Sequence, residues 1–109
     1  MVESKKAEST QLEWIEAGFQ ALSDLTRLHI LQLLKGGTRC VCQIQTDLPE
    51  VAPNLLSHHL RVLREAGLVR SVRRGRWIDY SLDEEALKRL REAIPHPDPQ
   101  PSSCRCEAL

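Results

Sequence analysis

The most specific chemistry in this sequence belongs to four cysteines, which fall into two C-x-C pairs, Cys40-Val41-Cys42 and Cys104-Arg105-Cys106. Thiolate is a soft ligand that selects soft metals and metalloids, and it is also the reactive form of the thiol in redox exchange. Thiols grouped in this way point to metal or redox chemistry rather than to structural disulfides. The spacing is not the C-x-x-C of a dithiol oxidoreductase, and no catalytic constellation accompanies it, so no enzyme is expected.

A second set of residues suits a polyanion. The formal net charge is zero, but the charges are unevenly placed. Between Val51 and Ile78 the chain carries Arg61, Arg64, Arg70, Arg73, Arg74 and Arg76 against the single acid Glu65. Distribution matters more than the sum for nucleic-acid binding, and arginine offers fork-like hydrogen bonds to phosphates and base edges.

The elements that must hold these groups follow from periodicity and caps. Leu12, Ile15, Phe19 and Leu22 recur at helical spacing, with Trp14 beside them, and predict a helix over about 10–22. Ser23-Asp24 offers an N-cap to a second helix carrying Leu25, Leu28, Ile30, Leu31 and Leu34, which Gly36-Gly37 ends. Thr38 can cap a short third helix bearing Cys40, Val41, Ile44 and Leu48, closed by Pro49. Pro53 fits the first turn of a fourth helix, which runs to about Ala66 with Leu55, Leu56, Leu60 and Leu63 inward and Gly67 at its end. Two β-prone runs, 68–72 and 77–81, flank Arg73-Arg74-Gly75-Arg76, and Gly75 supplies the positive φ of a tight turn. Asp83 caps a last helix over 84–94 with Ala86, Leu87, Leu90 and Ile94 on one face.

This order, α-α-α-α-β-β-α, is a mostly α chain with a β-hairpin, a winged helix-turn-helix. The fourth helix is the natural recognition helix, because Asn54, Ser57, His58 and Arg61 share one polar face by their i, i+3, i+4 and i+7 spacing. Such a face enters a major groove, where Asn pairs bidentately with adenine and Ser or His reaches base edges or phosphates. Arg73, Arg74 and Arg76 sit on a wing able to touch phosphate or a minor groove. His59, beside core Leu60, reads as structural. One unit of this kind reads few base pairs, so a dimer on a two-fold double-stranded operator is expected.

Three stretches of these elements resemble the ArsR/SmtB family of metal-responsive repressors. The second helix, Ala21-Leu22-Ser23-Asp24-Leu25-Thr26-Arg27-Leu28-His29-Ile30-Leu31, is similar to the family's A-L-x-D-x-T-R-L-x-I-L. The run from Leu56 through Ser57-His58-His59-Leu60 to Ala66-Gly67-Leu68-Val69 is similar to its S-H-H-L-x-x-L-x-x-A-G-L-V. The wing, Arg73 to Leu82, is similar to its R-x-G-R-x-x-Y-x-L. The likeness covers residues 12–94. It implies a homodimer packed through its first and last helices, which represses without inducer and releases DNA when the inducer binds.

The resemblance also gives the thiols a role. Cys40-Val41-Cys42 stands where the arsenic- and cadmium-sensing branches carry a C-V-C motif that binds As(III), Sb(III), Cd(II) or Pb(II). A helix N-terminus favours thiolate. Two residues apart on a helix, however, side chains diverge by about 200°, so one ion can hold both sulfurs only if the helix unwinds, and that deformation is the expected switch. One arsenic pattern has a third cysteine where this chain has Gln45. As(III) prefers three thiolates, and the tail offers Cys104 and Cys106, which an extended segment of about 28 Å at about 3.1 Å per residue would carry back to Cys40 and Cys42. Three sulfurs suit As(III) or Sb(III), whereas four suit Cd(II), Zn(II) or Pb(II). The zinc-sensing branch uses its last helix. Here that region offers Asp83, Glu85 and His96, an incomplete set because Pro95 breaks the helix. A thiol redox-sensing repressor is the nearest alternative.

The totals agree with a small regulator. The 109 residues suit one domain, with 41% hydrophobic and 28% charged residues. No stretch is long and apolar enough to span a membrane, and the first residues have no signal-peptide core, so a cytoplasmic protein is expected. The expected organisation is a disordered N-terminus over 1–9, a DNA-binding and dimerisation domain over 10–94, and a flexible Pro-rich, Cys-containing tail over 95–109.

Overall fold

The computed structural model describes residues 2–99, with side chains from residue 10 onward. Its elements run α1 (Val2–Leu22), α2 (Leu25–Leu34), β1 (Arg39–Cys40), α3 (Val41–Asp47), α4 (Pro53–Glu65), β2 (Val69–Arg74), β3 (Trp77–Leu82) and α5 (Glu84–Ala93). Helix α1 begins at Val2 rather than near residue 10. The polar Glu-, Lys- and Ala-rich start is made of good helix formers, and a helix already nucleated by its buried face extends through such residues.

Local chemistry sets most boundaries where the caps and glycines indicate. The Asp24 carboxylate accepts the Arg27 amide at 3.1 Å and starts α2. Asp83 accepts the Ala86 amide at 3.1 Å and starts α5. Each of these two bonds holds its carboxyl below the usual aspartate range. Pro53 opens α4, and Gly67 follows it at φ 80°, a conformation that a side chain resists. In the hairpin Arg74 pairs with Trp77, leaving a two-residue loop in which only Gly75 has positive φ, as a type II′ turn requires.

The sheet has one strand more than the hairpin. β1 pairs antiparallel with β3, Arg39 opposite Tyr80 and Cys40 opposite Asp79, giving the order β1-β3-β2. A two-residue strand has no periodicity of its own, and it forms because β3 presents a free edge to it.

The core gathers the three helices of the helix-turn-helix and the chain leaving it. Ile30 of α2, Ile44 of α3, Leu56, Leu60 and Leu63 of α4, and Leu68 are its fully buried large side chains. Leu55 is not among them: it is 48% exposed, because the inward face of α4 is Leu56, His59, Leu60 and Leu63, and Leu55 stands about one helical step outside it. Helices α1 and α5 approach so closely that a Cβ on Gly18 would lie 2.8 Å from a methyl of Leu90.

One polar contact joins the helices. Arg27 Nε donates to the Ala21 carbonyl at 2.7 Å, and its Nη1 donates to Nδ1 of the buried His59 at 3.1 Å. Because a guanidinium can only donate, Nδ1 is the acceptor and the ring is the neutral Nε2–H tautomer. Burial pushes the His59 pKa below its ordinary 6.5, with Asp24 opposing and Arg27 and His58 reinforcing the shift. The Asp24 carboxylate, 3.9 Å from Nδ1, is therefore not an ion-pair partner at neutral pH. The unfolded chain takes up a proton that the folded ring refuses, so stability is full above the unfolded value and is lost as pH falls through 6.5 toward the lower folded one. We expect the melting temperature to fall between pH 7 and pH 5, with a shallower fall in His59→Gln; equal slopes in calorimetry would contradict this assignment.

Candidate nucleic-acid interface and thiol site

The sequence-predicted reading face comes together as a surface. Asn54, Ser57, His58 and Arg61 are all exposed on α4, and they line a cleft of about 410 Å³ with Val41, Leu60, Arg64, Ile78 and Tyr80. The burial of His59 turns its neighbour His58 outward. Arg64 also lines the cleft, and its place three residues after Arg61 is the sequence signal for it. The Asn54 side-chain carbonyl accepts the Leu55 amide at 3.0 Å.

The six arginines of this region are not equivalent. Arg74 is held by Asp79 through Nε–Oδ2 at 2.8 Å and Nη2–Oδ1 at 3.4 Å, which raises its pKa further. Arg70 is paired with Asp83 at 3.2 Å. The basic run thus meets acids that lie just beyond it in sequence. Among the described residues, Arg61, Arg64, Arg73 and Arg76 are exposed with no carboxylate within ion-pairing distance. They are the arginines of the run left to meet an external polyanion, two on α4 and two at the wing.

The thiol pair departs from the expected geometry. Cys40 is not in α3 but caps it, in extended conformation at φ −78° and ψ 160°, and its amide donates to Gln43 Oε1 at 3.1 Å. The divergence of about 200° applies only to two helical residues, so it does not arise here. The Cα atoms are 5.4 Å apart and the two sulfurs are bonded to each other. The expectation that both sulfurs meet only if the helix unwinds is therefore wrong: pairing with β3 keeps Cys40 extended and brings the sulfurs together with α3 intact. Cys42 is exposed and Cys40 half-buried. Gln45, where one arsenic pattern has cysteine, donates to the carbonyls of Leu48 at 3.2 Å and Val51 at 2.7 Å and latches the turn into α4.

Two positions tie the thiols to the reading surface. Val41, between the cysteines, lines the α4 cleft. Cys40 stands opposite Asp79, whose carboxylate holds Arg74 of the wing. Cys104 and Cys106 lie outside the described residues. Of the zinc-type set, Asp83 is engaged as the α5 cap and by Arg70, and among the described residues no three Cys, His, Asp or Glu side chains converge as a metal site.

Residues 24–71 match the family model described as bacterial regulatory protein, arsR family. The chain is 36% identical over 86 residues to the arsenical resistance operon repressor of Bacillus subtilis, covering 78% of this chain and 81% of that protein. It is 40% identical over 75 residues to a cadmium resistance transcriptional regulatory protein CadC homolog of Staphylococcus aureus, covering 68% of this chain and 61% of the relative. Its fold is similar to the homodimeric winged helix-turn-helix DNA-binding domain of a possible ArsR-family regulator from Mycobacterium bovis, with a TM-score of 0.68 at 28% identity over 79% of this chain and 80% of that one. After full reduction, the exposed Cys42 should be alkylated by iodoacetamide before Cys40; mass mapping that finds Cys40 modified first would refute this geometry.

Proposed function

Because the chain belongs to the arsR family of bacterial regulatory proteins, we propose that it is a homodimeric transcriptional repressor that leaves its operator when the Cys40 and Cys42 thiolates bind As(III) or Sb(III). In this reading Asn54, Ser57, His58 and Arg61 enter the major groove, Arg64 supports them, and Arg73, Arg74 and Arg76 reach the flanking phosphates or minor groove. Residues 10–94 are the DNA-binding and dimerisation unit, and the tail from 95 to 109 carries Cys104 and Cys106.

The observation that carries the reading is the juxtaposition of the thiols with the DNA-facing surface. Val41 borders the α4 cleft, and Cys40 is registered on Asp79. A metalloid bound by both sulfurs would fix a separation that two free thiolates do not hold. Displacement of Cys40 would reach β3 and the Asp79–Arg74 pair, and displacement of Val41 would reach the α4 face. To move a 1:99 population to 99:1 the inducer must prefer the released state by about 5.5 kcal/mol, a difference that strong metal–sulfur bonds can supply.

Dimerisation is supported by apolar surface on the terminal helices. Leu12 and Ile94 are exposed, and Trp14, Ile15 and Ala93 line a groove of about 750 Å³ between α1 and α5. A second reading, favoured by the similarity to the cadmium resistance regulator, is a Cd(II)-, Pb(II)- or Zn(II)-responsive repressor whose four-thiolate site adds Cys104 and Cys106.

Operator affinity of the reduced protein, followed by fluorescence anisotropy during titration with As(III), Sb(III), Cd(II), Pb(II) and Zn(II), tests both readings. Release by As(III) and Sb(III) alone supports the first. Release by the divalent ions supports the second, and release by none removes both. Cys40→Ser should bind operator within about twofold of the parent yet lose induction, a twofold change being only about 0.4 kcal/mol. Arg73→Ala or Arg76→Ala should weaken binding at every sequence and lower the salt slope by about 1. Arg74→Ala should cost less than either, because Asp79 already meets its charge; a larger loss at Arg74 would overturn that ranking.

A further inference from the structure

We propose that the Cys40–Cys42 pair is also an oxidation site, and that its intramolecular disulfide holds the repressor on its operator while making it unresponsive to thiolate-seeking inducers. The inference rests on the proposed function, since it concerns how the same site is regulated.

The geometry favours closure of this bond. The Cα separation of 5.4 Å lies inside the range that disulfides span, and the extended Cys40 beside the first turn of α3 brings both side chains to one place. The exposed Cys42 is the sulfur that a dissolved oxidant meets first. With hydrogen peroxide as oxidant, the Cys42 thiolate attacks one oxygen, the O–O bond breaks, and Cys42 becomes a sulfenic acid as hydroxide leaves, which takes up the proton the thiol had released and becomes one water. The Cys40 sulfur then attacks Cys42 Sγ, the S–O bond breaks, and a second water carries away the hydroxyl and the thiol proton. Two thiols lose two electrons and peroxide gains them.

With the sulfurs joined, Cys40 is registered on Asp79, its amide donates to Gln43, Ile44 is fully buried, and Val41 borders the cleft with Asn54, Ser57, His58 and Arg61. The disulfide form therefore presents an intact candidate reading face and wing. What it lacks is free thiolate, the one thing an inducer of this class needs. Oxidation at this pair acts as an interlock on induction and is not itself an inducing signal.

The test uses the full-length chain with Cys104→Ser and Cys106→Ser, so that the only thiols are Cys40 and Cys42. Reduced and peroxide-treated samples are compared by mass mapping of alkylated cysteines, by ultraviolet titration of sulfur–arsenic absorption with As(III), and by operator anisotropy. The expected result is loss of both alkylatable thiols, operator affinity within twofold of the reduced protein, no As(III) absorption, and full recovery with dithiothreitol. Oxidised protein that leaves the operator overturns the interlock and makes the pair a redox sensor. Oxidised protein that still binds As(III), or peroxide treatment that yields sulfinic acid or intermolecular dimers, overturns it as well. Reduced protein that binds As(III) without releasing DNA refutes the proposed function but leaves the blocking of the site tested. If the reduced protein binds no As(III), both fail.

Discussion

The orientation of α4 depends on the contact between Arg27 and His59. Arg27 lies in the first turn of α2 yet reaches back to the Ala21 carbonyl at the end of α1 and across to His59 in the middle of α4. A buried imidazole must find a partner or be costly, and a guanidinium satisfies it only if the ring is neutral and Nδ1 accepts. The contact, together with the burial of Leu56, Leu60 and Leu63 on the same face, fixes the rotation of α4 about its own axis. With His59 turned inward beside Leu60 and Leu63, the face carrying Asn54, Ser57, His58 and Arg61 has to point outward. A hydrogen bond between a charged donor and a buried acceptor contributes about 1.5–3 kcal/mol, enough to decide between neighbouring rotations of a short helix.

Charge is arranged around that helix by subtraction. A chain with no net charge can still present a cationic surface if its acids are engaged elsewhere. Here Asp79 and Asp83 each hold one arginine of the basic run, Asp83 while also capping α5. The unmatched guanidiniums fall on two elements, Arg61 and Arg64 on α4 and Arg73 and Arg76 on the wing. Asp79 does two things at once: it orders the wing through Arg74, and its backbone lies opposite Cys40.

That register gives the thiol site its character. β1 has only two residues, but it places Cys40 in the extended region, so that Cys40 ends the strand and caps the helix together. The thiols consequently sit on the seam between the sheet that bears the wing and the short helix preceding α4. A displacement at this seam would reach both the strand beside the wing and the cleft of α4 without melting a helix.

Much of this was determined by the sequence alone. Caps at Asp24 and Asp83, Pro53 at the start of α4, Gly67 after it and Gly75 in the turn are local effects, because the preference of one backbone position is settled within a few residues. Helical spacing likewise divided His58 from His59 and placed the candidate DNA residues on one face. The tertiary structure alone decided the rest. β1 exists only because β3 offers it an edge, and the sulfurs meet only because that pairing keeps Cys40 extended. The division of the arginines into matched and unmatched depends on which carboxylates the hairpin register and the α5 cap bring alongside. The exposure of Leu55 depends on the rotation that Arg27 and His59 impose. Each of these is a contact between segments distant along the chain, and composition and periodicity, which are local properties, carry no record of which distant groups will meet.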